Sequence, residues 1–230
     1  MTVTDQEIVE QLEVYGRQPA EILPVGQSAT DLPSPWRPIA AAEQAPARIE
    51  SALGLWNEAF LAMIPRTAEL FRTELVDVRV ARRDGEYLLL YIVEHYPDTP
   101  HREVRVWVGG QPDPGGAVPE LWDCVPAALR EFLQTVHGGL TAADREAFGP
   151  QAPRYLQTLA EIAGAPDGIP GWDYEPDSTR LLLIATDGGA DCCVSPDLPE
   201  GEGVLIYQGD EPDPPQPVGL LLDEIIDATL

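Results

Sequence analysis

Apolar positions along the chain follow two different periods. Ile8, Val9, Leu12 and Tyr15 fall at helical spacing and Gly16 closes the run, which predicts a helix over 5–15. Residues 18–46 contain the proline-rich string LPSPWRP and read as an extended connector. A helix is expected from Ile49 to Met63, with Leu53, Trp56, Phe60 and Met63 on one face. A shorter one should run from Pro65 to Glu74, with proline at the first position, where a missing N–H costs nothing. The period then drops to two. Val76, Val78 and Val80 alternate with polar residues, Asp84-Gly85 supplies a turn, YLLLYIV follows, and EVRVWVGG over 103–110 alternates again. A helix pair followed by a three-stranded antiparallel meander therefore makes up most of residues 1–110.

QPDPGGAVPE (111–120) is the strongest punctuation in the chain, and it sets off a second domain over 118–230. There VPAALREFLQTVHGGL predicts a helix that buries Leu129, Phe132, Leu133 and Val136 and stops at Gly138-Gly139. Thr141 stands three residues before Asp144, a variant of the capping box that would start another helix. APRYLQTLAEIAG predicts a further amphipathic helix ending at Gly164. RLLLIAT is apolar enough for a strand buried on both faces, DCCVSPD and GVLIYQG give two more strands, and VGLLLDEIIDATL closes the chain as a helix. The fold class is α+β, with antiparallel sheets flanked by helices.

Charge changes this picture more than overall composition does. The chain has 39 acidic and 14 basic residues, a formal charge of −25. All the bases are arginine, the skew of a GC-rich bacterial genome. Residues 1–110 carry a net −7 and residues 111–230 a net −18; from Glu161 onward Arg180 faces 16 acids alone. Such a field repels nucleic acid and anionic membranes and draws in basic partners. The plain alternative is a solvated surface that keeps the protein soluble. The first residues lack the basic and apolar regions of a secretory signal, and no apolar run is long enough to span a bilayer, so a cytoplasmic location is expected.

Cys192-Cys193 raises the question of a metal site. Structural zinc needs ligands that converge, yet adjacent strand residues point to opposite faces, the third cysteine is Cys124, and no histidine is near in sequence. One cysteine is expected in the core, the other outward or in a second interface. The oxygen-rich strings DGGAD and GDEPD do not fit a calcium loop, because Gly189 occupies the third position and no glutamate the twelfth. No metal or other cofactor is expected. His95, His101 and His137 fall at a strand end, a turn and a helix C-terminus, where the helix dipole alone accounts for His137. No nucleophile elbow, P-loop or dinucleotide fingerprint is present, so no catalytic residue is assigned and the chain is not read as an enzyme.

Three stretches together resemble the SUKH superfamily (Smi/Knr-like): the helix VPAALREFLQTVHGGL, the strand–turn–strand LLLIATDGGADCCVS with the later strand GEGVLIYQGD, and the ending VGLLLDEIIDATL. The resemblance covers roughly 118–230, and residues 1–110 have no counterpart in it. It implies a bacterial immunity protein that binds and neutralises a cognate toxin, such as a nuclease with a basic cleft. SUKH-like domains also serve as regulatory or structural interaction modules, which is the alternative; an enzyme of unknown type is the third reading.

The expected contact surface lies on loops 166–179 and 196–217. It comprises Trp172, Asp173, Glu175, Asp177, Asp197, Glu200, Glu202, Asp210, Glu211 and Asp213. Prolines between them lower the entropy lost on docking. Trp172 is the aromatic anchor, unless it simply folds back over the edge of the core.

Overall fold

In the computed structural model, which describes residues 3–13, 20–27, 30–96, 99, 102–143 and 147–227, the change of period at residue 75 marks where helices give way to sheet. Before it come α1 (Asp5–Glu13), β1 (Glu21–Ile22), α2 (Arg37–Ala41), α3 (Ala45–Leu53), α4 (Glu58–Met63) and α5 (Pro65–Glu74). The meander follows as β2 (Leu75–Arg83), β3 (Glu86–His95) and β4 (Glu103–Gly110). Asp84 and Gly85 both take positive φ, 53° and 84°, the backbone that joins twisted strands in a tight hairpin. Then come α6 (Ala127–Thr135), β5 (Leu140–Ala142), β6 (Gly149–Pro150), α7 (Leu159–Ile162), β7 (Leu182–Thr186), β8 (Ala190–Val194), β9 (Glu202–Tyr207), β10 (Gln216–Pro217) and α8 (Val218–Asp227).

Two antiparallel five-stranded sheets result, in the orders β1-β2-β3-β4-β5 and β10-β9-β8-β7-β6. The α+β class expected from the sequence is what the chain adopts. The first sheet takes its fifth strand from beyond the 111–120 punctuation, through Trp107↔Ala142 to Gly109↔Leu140. One apolar core draws on both sides of that punctuation. It joins Tyr91 and Trp107 of the first sheet, Phe60, Phe71, Phe132 and Leu222 of the helices, and Ile184 and Leu205 of the second sheet. The opposite face of the first sheet is covered by Ile8 and Leu12 of α1. Along β3, Tyr87, Leu89, Tyr91 and Val93 face the main core while Leu88, Leu90 and Ile92 face α1, so the pleat buries this strand on both sides.

The helical region departs from the sequence expectation in four places. The predicted connector over 18–46 contributes Leu32, Trp36 and Ile39 to the core and contains α2. The helix expected over 49–63 is broken: α3 ends at Leu53 and Asn57 caps α4, its Oδ1 accepting from Phe60 N at 2.6 Å. The break turns Trp56 inward, where its ring meets Phe132, Phe71 and Tyr91 edge-on. Thr141 starts no helix; its backbone belongs to β5, and Asp144 lies outside the described residues, as do Tyr15 and His101. The capping box is instead at Thr158–Glu161, so APRYLQTLAEIAG yields one turn of 3-10 helix and then the short α7.

Candidate functional site

The groups with chemical potential are internal. Cys192 points into the main core and Cys193 into a smaller one on the outer face of the second sheet, with Leu183, Val204 and Ile206. Both are fully buried, and burial pushes the Cys192 thiol up to about 12 and Cys193 well above its usual range. They are small core residues on opposite faces of one strand. His137 is also sealed in: Tyr91 Oη lies 2.7 Å from its Nε2, Trp56 Nε1 donates to Tyr91 Oη at 3.0 Å, and Nδ1 faces the Gly110 carbonyl at 3.4 Å. Burial holds this imidazole down at about 3, so it is neutral, and the helix-dipole explanation for its position does not apply. Its neighbours explain the position instead.

What the molecule presents outward is carboxylate. The segment 165–180 folds across the outer face of the second sheet, where Ile169 and Trp172 pack beside Leu198 over Cys193 and Val204. Trp172 is half-buried and its Nε1 donates to the Pro176 carbonyl at 3.1 Å. It therefore fixes the loop that displays Asp173 and Glu175, both exposed. Asp177 spends its carboxylate on the chain itself, accepting from Thr179 Oγ1 at 2.6 Å and Thr179 N at 2.8 Å; these bonds hold it below the ordinary carboxylate range. Asp197 is likewise engaged, its two oxygens meeting Nε and Nη2 of Arg180, which lower it in the same sense.

The remaining acids separate along β9. Glu200 and Glu202 sit at the β8–β9 turn, whereas Asp210 and Glu211 follow the far end of β9, roughly 17 Å away at the rise of an extended strand. Asp213 lies between, its N–H bonded to the Leu205 carbonyl at 2.9 Å as the proline-rich segment returns along the β9 edge to β10. A negative field spans that edge: the Tyr207 hydroxyl is pushed up by partial burial and then by the charges of Asp213, Glu224 and Asp187. Among the described residues Asp173, Glu175, Glu200, Glu202, Asp210, Glu211 and Asp213 form no ion pair with arginine, but they fall at separate places around the second sheet; Asp177 and Asp197 are engaged within the chain. Near the Glu200–Glu202 end, Met63, Gly201 and Leu220 line an open groove that sequence reasoning missed, because its walls come from four segments far apart in the chain. Among the described residues no three of His, Cys, Asp and Glu are placed to hold a metal ion, and no helix is long and apolar enough to cross a membrane. Comparison with protein-family models, with curated proteins and with solved structures finds no match to this chain.

Proposed function

We propose that the protein is a non-enzymatic binding module whose acidic second-sheet loops capture a basic protein partner. The resemblance to SUKH immunity proteins makes a cognate toxin domain that partner, and neutralisation of the toxin the purpose. One observation supports the reading most: from Glu161 onward the chain has a single arginine, and Asp197 already holds it. The exposed acids of loops 166–179 and 196–217 have no cation of that region left to answer them. An oppositely charged partner would relieve their mutual repulsion and be steered in rapidly.

Co-purification of the tagged protein from its native bacterium, with mass spectrometry, identifies the partner; association kinetics at several salt concentrations then test the mechanism. A basic toxin domain whose association slows steeply with salt supports the reading. Reversal of Glu200 with Glu202, and separately of Asp210 with Glu211, tells which end of β9 meets it. A partner that binds with salt-independent kinetics, unaffected by either reversal, overturns it.

A further inference from the structure

Where the end of α4 and the start of α5 meet the first turn of α8, the surface opens into a groove of about 670 Å³ lined mainly by apolar carbon. Close approach of the backbones builds it. Gly219 lies so near α4 that a Cβ there would stand 2.3 Å from the Met63 carbonyl oxygen. The β8–β9 turn is tied to the same place, Val218 N donating to Gly201 O at 2.9 Å. Asp223 fixes the floor: its buried carboxylate accepts from Arg66 N at 2.9 Å, Thr67 N at 2.8 Å and Thr67 Oγ1 at 2.7 Å, closing the N-terminus of α5 from 156 residues away. These bonds tie the walls to one another.

The rim decides what would bind. Leu220 is 48 % exposed although α8 is otherwise well packed, and Met63 is half-buried opposite it. Glu200 and Glu202 flank the lining residue Gly201. Arg66, the cation in the lining, is held by Asp223 and by Asp227 at 3.2 Å. An apolar slot next to the turn that carries Glu200 and Glu202, with Arg66 already paired, does not suit a second copy of a chain carrying −25, nor an anionic lipid surface. It suits an apolar side chain flanked by arginine or lysine.

We infer that this groove is the anchor pocket of the interface: an aliphatic or aromatic side chain of the basic partner inserts between Met63 and Leu220, while Glu200 and Glu202 receive the cations beside it. The inference rests on the binding reading above and places the contact at the β8–β9 end of the acidic edge. Such a centre would carry most of the binding energy while the surrounding acids set rate and specificity.

The test uses two short synthetic peptides of equal charge, one built from leucine and arginine, the other with every leucine replaced by serine. Each is titrated by fluorescence anisotropy at physiological salt against the full chain, Leu220→Gln, and the Glu200→Lys/Glu202→Lys double variant. The leucine peptide should bind the native chain about tenfold or more tightly than the serine peptide, the worth of burying one aliphatic side chain. Leu220→Gln should remove most of that advantage and leave the serine peptide unchanged, while the double variant should weaken both. If the advantage is missing, or survives Leu220→Gln, while both peptides still bind in a salt-sensitive manner, the groove inference fails and the acidic surface stands. If neither peptide binds, both fail. A concentration-dependent dimer abolished by Leu220→Gln would assign the groove to a second copy and overturn the inference.

Discussion

Acidification from neutral pH puts a proton on His137 in the unfolded chain before the folded one will accept it. Unfolded, the imidazole titrates at its ordinary 6.5; folded, burial holds it down at about 3, and the Gly110 carbonyl offsets this only in part. The geometry gives the same answer independently. Trp56 Nε1 donates to Tyr91 Oη, so the Tyr91 hydroxyl proton is directed at Nε2 of His137. A proton on Nε2 would set two donors against each other in a dry core. The ring cannot back away, since it lies against Gly109, where even a Cβ would come within 2.5 Å of it.

The sign follows from proton counting. Between about pH 6.5 and pH 3 the unfolded state holds more protons at this site than the folded state, so stability falls as pH falls. The slope is about 1.4 kcal/mol per pH unit, which removes about 3 kcal/mol by about pH 4.5 from this site alone. That is a large share of the ~5–15 kcal/mol typical of a domain. Urea unfolding followed by tryptophan fluorescence and circular dichroism, from neutral pH downward, gives the slope for the native chain and for His137→Gln. Glutamine can accept from Tyr91 and donate to Gly110 without titrating. Carboxylates that protonate at low pH affect both chains, so the difference between the two isolates His137. The stability difference should shrink by about 1.4 kcal/mol per unit below about pH 6. Parallel curves would refute the assignment of a neutral, locked imidazole.

Two further outcomes follow from the same packing. Asp223→Ala removes the acceptor for Arg66 N, Thr67 N and Thr67 Oγ1 and should cost about 2–4 kcal/mol in urea unfolding, with Asp223→Asn costing less because one amide oxygen still accepts. Cys192 and Cys193, fully buried with raised thiols, should resist iodoacetamide in the native protein while the part-exposed Cys124 reacts, and all three should label in denaturant, as counted by mass spectrometry.

Elements whose order is written in neighbouring residues were legible in the sequence. The alternation through 76–110 and the proline-led start at Pro65 specify β2–β4 and α5 because pleat and helix phi are local properties. The helix break at Gly54–Asn57 was hidden by apolar spacing that runs smoothly across it, although Asn57, the chain's one asparagine, is a strong cap. Two Thr-x-x-acid patterns compete at 141 and 158, and only tertiary pairing with β4 takes the first into a sheet. Asp223 could not have been read as a cap for Thr67 by any local rule, since the bond spans 156 residues. The acids of the candidate surface were visible as composition, but their separation along β9 and the removal of Asp177 and Asp197 required coordinates.

The two halves of the chain use charge differently. In the first, arginines are drawn into the fold: Arg48 forks onto Asp77 beneath α3, Arg79 reaches Asp5 of α1, and Arg102 bridges Glu7 and Glu94, which helps to hold Glu7 down at about 2. Those pairs fasten α1 and α3 to the first sheet. In the second half Arg180 forks onto Asp197, and the loops are otherwise fastened without arginine: a tryptophan indole on a backbone carbonyl, hydroxyl bonds at Asp177, and prolines along 212–217. Loops held mostly in this way leave their other described carboxylates without arginine partners, at the cost of mutual repulsion in the free protein. On the function proposed above, a basic partner would remove that repulsion on docking, and the groove beside Gly201 would supply the apolar contact that charge alone lacks. Electrostatics would then govern how fast the complex forms, and Leu220 with Met63 how long it lasts.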